Sequence, residues 1–329
     1  MSETPGVTPD SGLPSRTSIW AAASRALGAR DPDPTVRNPD WLAEHVIGPS
    51  ERELLAEQRV VQALDQDYTE ALSNMEAAGP ARTLLVRTRF VEGKLEQAIR
   101  SGARQVVILG AGFDTRAYRL TELLRDVRVF EVDRPATQEY KRRRIQELIP
   151  GIIATLPANL TYTPFDFLHE KPGDALLRTG YDAAQRTFFI WEGVTMYLPE
   201  DVTRETFRWI ASHSPPGSSV VFDYVFSKVI PMLANVPVGK IPDGPPKEAF
   251  LRWKRLLENE PWLGGLPEGD ESDYLKSVGL EVREILAMNG PEAEKRYLTR
   301  ADGSVFGALP ATAVAQPQMY WLAEATVPG

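Results

Sequence analysis

The chain has 329 residues, of which 43% are hydrophobic and 25% charged, a composition typical of a globular protein with one large domain or two small ones. Its 37 Lys and Arg residues against 45 Asp and Glu give a formal net charge of -8, which disfavours nucleic acid and anionic membranes as partners. The sequence has no cysteine, which excludes disulfides, thiolate nucleophiles and cysteine-based zinc sites, and its three histidines stand too far apart to suggest a metal site.

The first part of the chain predicts a tail and a group of helices. Residues 1–16 are polar and rich in proline, which predicts a disordered tail and not a targeting signal. Because no long apolar run follows, we expect a cytoplasmic protein. Residues 17–82 carry apolar side chains at helical spacing and predict a helical N-terminal cap.

Residues 83–329 predict the core domain, because short apolar runs alternate there with helical segments. Runs without polar alternation are typical of parallel strands that are covered on both faces. The predicted strands are Gln105–Leu109, Val127–Val132, Leu160–Phe165, Thr187–Trp191, Ser219–Phe222, Gly279–Ile285 and Met319–Ala325. The sequence therefore predicts an α/β, Rossmann-like fold with a seven-stranded, mostly parallel sheet whose last two strands pair antiparallel at one edge.

A proline-rich insertion at about 227–278 interrupts this alternation after the fifth strand. It contains an amphipathic helical stretch around Phe250–Leu257 with the aromatic residues Phe250 and Trp253, and Trp262 follows. Long insertions at the carboxyl ends of parallel strands most often cover a ligand. We therefore predict a lid that forms an acceptor pocket together with the N-terminal helices near Trp20 and Trp41.

The first strand runs directly into two glycines, Gly110 and Gly112, which favour a tight turn and a close approach of a ligand to the strand end. Thr115 stands where the full dinucleotide fingerprint has a third glycine, so a plain tight turn is the alternative interpretation. The next strand ends in two acids, Glu131 and Asp133. Asp133, at the open end, is the candidate for a ribose contact, whereas Glu131 could be structural.

The charge of this turn bears on the choice of nucleotide. A pyrophosphate prefers a helix N-terminus with little negative charge, and Asp114 argues against one here. S-Adenosylmethionine has no phosphate, and its sulfonium and ammonium groups are complementary to acids. The residues thus favour a methyl donor over NAD.

Four sequence blocks together resemble the leucine carboxyl methyltransferase family, including its bacterial S-adenosylmethionine-dependent O-methyltransferase branch. The blocks are RTRF (87–90), LGAGFDTR (109–116), FEVD (130–133) and WEGVTMYL (191–198), in the family's order. The resemblance implies a class I methyltransferase fold, S-adenosyl-L-methionine as cofactor and S-adenosyl-L-homocysteine as product.

The resemblance also implies roles for particular residues. Arg87 would bind the methionine carboxylate of the donor, although it could instead be a solvated helix residue. Asp133 would bind the ribose, with Gly110 and Gly112 against the donor. Asp166 and Phe167 would lie near the adenine, or could be capping or core residues.

Two further positions concern the amino-acid end of the donor. Glu192 ends an apolar strand, where a buried carboxylate would need a partner. The resemblance to the family implies that this partner is the ammonium group of the donor. Arg25 is the nearest candidate for the basic residue that eukaryotic members place on the donor carboxylate.

These observations predict transfer of a methyl group to an oxygen, a carboxylate or a hydroxyl, of a small-molecule acceptor. No residue is identified as catalytic and no metal is expected, and we expect a monomer or homodimer. The alternatives are a noncatalytic nucleoside-binding or sensor protein of the same fold and an NAD-linked oxidoreductase. The basic run Lys141–Arg144 is interpreted as an exposed helix face.

Overall fold

A seven-stranded sheet organises the protein, in a computed structural model that describes residues 14–241, 243–258, 260–307 and 319–329. Most of the predicted tail lies outside the described residues. The strands are β1 (Gln105–Leu109), β2 (Arg128–Asp133), β3 (Leu160–Pro164), β4 (Thr187–Trp191), β5 (Ser219–Tyr224), β6 (Glu281–Ala287) and β7 (Trp321–Thr326). Their order is β3-β2-β1-β4-β5-β7-β6.

The first five strands are parallel, and β7 runs antiparallel to both β5 and β6. This confirms the predicted Rossmann-like sheet and its antiparallel edge. The chain leaves β1 toward β2 on one side and returns to β4 on the other, so the carboxyl ends of β1 and β4 form the switch point where ligands bind in such sheets.

Burial explains why the central strands were the clearest in the sequence. Every residue of β1, β4 and β5 is buried, whereas the edge strands β3 and β6 are partly exposed. Alternate residues of β1 enter opposite cores: Val106 and Ile108 pack with the N-terminal helices, and Val107 and Leu109 with the other face.

Fourteen α-helices surround the sheet within the described residues. They are α1 (Arg16–Ala29), α2 (Ala43–Val46), α3 (Pro49–Leu54), α4 (Arg59–Gln62), α5 (Tyr68–Ser73), α6 (Met75–Arg100), α7 (Arg116–Arg119), α8 (Pro135–Glu147), α9 (Pro172–Arg178), α10 (Glu200–Ser212), α11 (Val229–Ala234), α12 (Pro245–Leu256), α13 (Glu271–Ser277) and α14 (Pro291–Ala293). Helices α1 and α4 pack against the long helix α6, so the N-terminal segment shares one core with the sheet.

The segment predicted as a lid contains the helices α11, α12 and α13. Helix α12 is tied to the N-terminal helices by the ion pairs of Arg252 with Glu76 at 2.5 Å and of Arg255 with Glu57 at 2.8 Å. Helix α13 instead lies in the core beside β6, where its Leu275 is fully buried. The ion pairs therefore place α12, and not α13, next to the N-terminal cap.

One prediction about the helices is wrong at a single residue. Within the basic run, Lys141 is only 3% exposed and its Nζ lies 2.9 Å from the carboxylate of Glu131. Arg142 and Arg143 are exposed, as predicted. Lys141 is inside because α8 packs on β2, whose only fully buried acid needs a cation.

Candidate cofactor and acceptor site

A cavity of about 1280 Å³ opens at the carboxyl ends of the parallel strands. All seven residues predicted to bind the cofactor line it: Arg87, Gly110, Gly112, Asp133, Asp166, Phe167 and Glu192. They come from four strand ends and from α6, so only the folded sheet brings them together. The volume exceeds the roughly 300–1,000 Å³ of a typical single-ligand pocket and therefore leaves room for two molecules side by side.

The turn after β1 has the tight geometry expected of its glycines. Gly110 and Gly112 have positive φ values of 67° and 38°. A Cβ on Gly110 would lie 2.3 Å from a methyl carbon of Val194, a distance that no real side chain allows. Gly110 is thus required by the packing of the protein itself, in addition to any ligand.

Asp133 is held by backbone donors of this turn. The Gly112 N–H donates to Oδ2 at 2.6 Å and the Arg134 N–H to Oδ1 at 2.7 Å. Burial raises the pKa of Asp133, although these two N–H groups act to lower it. No ion pair of Asp133 occurs among the described residues, so its charge is available to a ligand.

Glu131 has a different environment, although it precedes Asp133 by only two residues. It is fully buried against Lys141 and does not line the cavity. Burial raises the pKa of Glu131 to about 7, against the opposing effect of Lys141. This acid is therefore a structural partner of α8.

Arg87 and Glu192 meet each other at the end of β4. The Arg87 Nε lies 3.2 Å from Glu192, and its Nη1 donates to Asp223 at 2.8 Å. The other oxygen of Glu192 accepts from Arg116. The protein thus supplies two cations to Glu192, so the need for a partner does not by itself require the donor's ammonium group.

These contacts belong to a continuous ion-pair network beneath the cavity. It joins four arginines and five carboxylates: Arg25, Arg87, Arg116, Arg119, Asp40, Glu92, Asp114, Glu192 and Asp223. One carboxylate is in excess in this network, although Glu92 does not itself line the cavity. Among the described residues that line the cavity there are seven arginines and eight acidic side chains, so the formal charge of the lining is slightly negative.

The buried ends of the network have shifted pKa values. Burial acts against the charged form of Arg87, yet Asp223 and Glu192 raise its pKa. Burial raises the pKa of Asp223, opposed by Arg87 and by the Gly193 N–H, which donates to it at 2.6 Å. Asp223 is 1% exposed, so it depends on these two partners.

Asp166 and Phe167 follow β3. The Asp166 carboxylate accepts from the Leu168 N–H at 2.9 Å and lies 3.0 Å from His169 Nδ1, so it caps the turn while lining the cavity. The Phe167 ring stacks on Trp191, with centroids 5.8 Å apart.

Arg25 is engaged by the protein. Its Nε donates to Asp40 at 2.7 Å and its Nη2 to the Phe113 carbonyl at 2.8 Å. Arg25 still lines the cavity.

Another part of the cavity lining, here called the apolar wall, is mostly apolar. Trp20, Trp253, Leu256, Leu257 and Trp262 line it, together with Met288 and Met319. Two residues named above do not line it: Trp41 is 51% exposed, and Phe250 packs on Trp253 with ring centroids 5.9 Å apart. Glu260 accepts from the Thr17 N–H at 3.0 Å and so joins this wall to α1.

Sequence reasoning missed Arg116 and Asp223. Arg116 lies inside the quoted block 109–116 but has no signal of its own. Asp223 interrupts the apolar run of β5, and the argument applied to Glu192, that an acid ending a buried strand needs a partner, would have found it.

Comparison with known proteins decides the family. A family model described as leucine carboxyl methyltransferase matches residues 18–211, more than half of the chain. The chain belongs to the leucine carboxyl methyltransferase family. The match covers α1 to most of α10 and ends before the wall formed by Trp253 and Trp262.

Relatives and solved structures agree with this family. A protein of Bacillus subtilis, provisionally named as the S-adenosyl-L-methionine-dependent methyltransferase YktD, is 33% identical over 220 residues, 64% of this chain and 70% of its own. A relative from Mycobacterium marinum with the same provisional description is 31% identical and covers 84% of this chain and 87% of its own. A solved structure from Thermobifida fusca, provisionally described as a methyltransferase, has a TM-score of 0.52 at 15% identity over 97% of both chains.

These findings confirm the predicted leucine carboxyl methyltransferase family, the class I methyltransferase fold and S-adenosyl-L-methionine as cofactor. Among the described residues, no group of His, Asp and Glu side chains has the arrangement of a metal site. In the same part of the chain, no helix has the length and apolar character needed to cross a bilayer.

Proposed function

We propose that this methyltransferase transfers the methyl group of S-adenosyl-L-methionine to an oxygen of a small-molecule acceptor. The observation that carries the proposal is one large cavity whose charged lining is slightly negative and whose remaining lining is rich in apolar side chains. The charged lining complements a donor whose net charge is positive, and the volume leaves space for a second molecule. A sensor that binds only a nucleoside would not need that space.

The donor residues follow from the charged lining of the cavity. Asp133 binds the ribose hydroxyls, because its carboxylate is fixed by two backbone N–H groups and has no cationic partner among the described residues. Arg87 binds the methionine carboxylate through Nη2, since its Nε and Nη1 face Glu192 and Asp223. Glu192 attracts the ammonium group, and Asp166 and Phe167 flank the adenine.

S-Adenosyl-L-methionine supplies, when bound, a methyl group on a cationic sulfur. The residues of this chain then have two tasks, to orient the acceptor oxygen and to exclude water. None of the three histidines lines the cavity, and each carboxylate of the ion-pair network is engaged by arginine. An acceptor that is already ionised at neutral pH, such as a carboxylate, needs no base and suits this arrangement. The family description, leucine carboxyl methyltransferase, supports the same choice.

Calorimetry and turnover test this proposal. We expect S-adenosyl-L-homocysteine to bind the protein and NADH not to bind. Incubation with donor tritiated in its methyl group and a set of small carboxylic acids and phenols should then label a product. Binding of NADH, or binding of S-adenosyl-L-homocysteine with no labelled product from any acid or phenol, would count against it.

We also propose that the predicted lid, about 227–278, covers the acceptor. The supporting contacts are those of α12 with the N-terminal cap and the exposure of Trp253 to the cavity. Hydrogen exchange should show α12 less protected than β1 in the free protein and more protected after addition of S-adenosyl-L-homocysteine. Equal protection of α12 and β1 without ligand would show a passive wall.

A further inference from the structure

The cavity has a second charged region, apart from the ion-pair network beneath it. This region consists of Arg82, whose side chain is only 3% exposed, and Glu294, which accepts from Arg82 Nη2 at 2.8 Å. Both residues line the cavity. Neither forms an ion pair with a member of the network among the described residues, so the pair is a separate polar site on the cavity lining.

Arg82 has one N–H group without a partner. Its Nη1 donates to the Phe306 carbonyl at 3.1 Å and its Nη2 to Glu294, whereas its Nε is buried and forms no hydrogen bond to any described residue. A guanidinium can bind a carboxylate through two parallel N–H groups, but Glu294 accepts from only one of them. Because buried donors in native proteins almost always have an acceptor, the Nε–H points to an acceptor atom on a ligand.

Glu294 offers a hydrogen-bond acceptor beside this donor. Its side chain is 44% exposed, and Arg82 is the only cation within ion-pair distance of it among the described residues. Since Oε2 binds Arg82, Oε1 is available to a donor on a ligand. Glu294 also begins a π-helical turn, Glu294–Leu298, directly after α14. Such turns are rare and occur frequently at functional sites.

The position of Arg82 on α6 places it in the acceptor part of the cavity. Arg82 precedes Arg87, which is proposed to bind the donor carboxylate, by five residues, or about 7.5 Å along the helix axis. Further in the same direction, Glu76 forms its ion pair with Arg252 of α12. Along α6, Arg82 therefore lies between the donor site and the predicted lid.

The charges of the pair determine which chemical group it can bind. An anion would be repelled by Glu294, which already balances the charge of Arg82, and a cation would be repelled by Arg82. An apolar group would leave the Nε–H without an acceptor. An uncharged group that both accepts and donates a hydrogen bond satisfies the two residues together.

A primary carboxamide meets this requirement. Its carbonyl oxygen and one of its N–H groups lie side by side on the same edge, so they can bind the Nε–H and the Oε1 atom at once. A peptide amide is almost always trans, and its C=O and N–H therefore point in opposite directions. The pair thus favours a primary carboxamide over a peptide bond.

We propose that Arg82 and Glu294 form a specificity subsite that binds a primary carboxamide of the methyl acceptor, with its carbonyl oxygen on the Arg82 Nε–H and its N–H on Glu294 Oε1. This inference rests on the proposed function and names a group of the acceptor other than the oxygen that receives the methyl group. Glu294 lies outside the matched range 18–211, so half of the subsite is not part of the family match.

The test measures calorimetric binding of three isosteric probes to the full chain saturated with S-adenosyl-L-homocysteine. The probes are 4-butylbenzamide, 4-butylacetophenone and 4-butylbenzoate. The amide accepts and donates hydrogen bonds, the ketone only accepts them, and the benzoate accepts them with a negative charge. We expect the amide to bind about tenfold more tightly than the ketone, the effect of one hydrogen bond to a charged group.

Two variants alter the subsite in different ways. Arg82→Met removes the Nε–H and should weaken amide binding by about tenfold. Glu294→Gln keeps a side-chain oxygen for Arg82 Nη2 but leaves the guanidinium charge unbalanced. In Glu294→Gln the affinity for the benzoate relative to the amide should therefore rise by about tenfold, a change of preference that the loss of a merely structural contact would not produce.

Glu292→Gln is the matched control. Glu292 lies two residues before Glu294 and also pairs with an arginine, Arg296, at 2.6 Å, but it does not line the cavity. The same chemical change at this position should leave the binding of all three probes unaltered. Binding of S-adenosyl-L-homocysteine by each variant shows that it is folded.

The outcomes separate this inference from the proposed function. If S-adenosyl-L-homocysteine does not bind the unaltered chain, the proposed function fails, and the same comparison of probes on the free chain still tests the subsite. If it binds, but the amide binds no better than the ketone or Glu294→Gln leaves the ratio of benzoate to amide affinity unaltered, only the carboxamide subsite is overturned.

Discussion

Replacement of Arg87 by methionine tests both the ion-pair network and the donor site. Arg87 is the only cation within ion-pair distance of Asp223 among the described residues, whereas Glu192 also has Arg116. Arg87→Met therefore leaves the carboxylate of Asp223, which is 1% exposed, with the backbone N–H of Gly193 as its remaining hydrogen-bond donor among the described residues. Breaking a buried pair from one side costs about 3–5 kcal/mol, and we expect about 3 kcal/mol because Asp223 can take up a proton.

The loss should depend on pH in a defined direction. Burial already raises the pKa of Asp223 while Arg87 lowers it, so removal of Arg87 raises it further. An acid whose pKa is raised on folding contributes stability that is present below its unfolded pKa and lost as the pH rises through the folded value. The deficit of Arg87→Met should consequently be smaller at pH 5 than at pH 8.

The double variant Arg87→Met with Asp223→Asn separates stability from binding. Because the amide carries no charge, we expect the double variant to recover about 2 kcal/mol of the loss. Binding of S-adenosyl-L-homocysteine should stay weak in both variants if Arg87 holds the donor carboxylate. Urea denaturation, monitored by tryptophan fluorescence, measures the stability, and calorimetry measures the binding of S-adenosyl-L-homocysteine.

Two results would refute this reasoning. A loss below about 1 kcal/mol at pH 8, the range of an exposed ion pair, would show that Arg87 does not stabilise Asp223. Unaltered binding of S-adenosyl-L-homocysteine by the double variant would remove Arg87 from the donor site.

Three further predictions follow from single contacts. Asp133→Ala should weaken calorimetric binding of S-adenosyl-L-homocysteine by about 1–3 kcal/mol, because the ribose hydroxyls lose their acceptor; unchanged affinity would contradict the ribose assignment. Gly110→Ala should destabilise the fold, since its Cβ would lie 2.3 Å from Val194, and Val194→Ala should partly restore the melting temperature; no restoration would place the strain in the positive φ alone. The free energy of unfolding of the unaltered chain should fall relative to that of Glu131→Gln as the pH rises from 5 to 8, by up to about 3 kcal/mol in urea denaturation. The reason is that a carboxyl whose pKa is raised to about 7 in the folded protein loses its stabilising contribution over that range. A difference between the two proteins that does not change with pH would argue against the raised pKa.

The accuracy of the strand predictions followed burial in most strands; β5, although buried along its whole length, was predicted to end two residues early because Asp223 interrupts its apolar run. The bounds of β1 and β4 were predicted to the residue, because both strands are buried along their whole length and appear as uninterrupted apolar runs. The bounds of β6 and β7 were shifted by one or two residues. These strands lie at the antiparallel edge, where partial exposure mixes polar residues into the run.

The candidate site divides in the same way. The sequence alone determined which residues end the strands at the switch point, and it identified Gly110, Asp133 and Glu192. It could do so because a glycine turn or an acid after an apolar run is a local pattern. The tertiary structure decided which charges meet. Arg87 and Asp223 are 136 residues apart, and they pair only because β4 and β5 lie side by side and α6 crosses them. Lys141 was predicted as exposed for the same reason, because nothing local to α8 shows that Glu131 lies beneath it. A sequence pattern reports periodicity and burial within one element, whereas the partner of a buried charge depends on strand order and helix packing, which are properties of the whole fold.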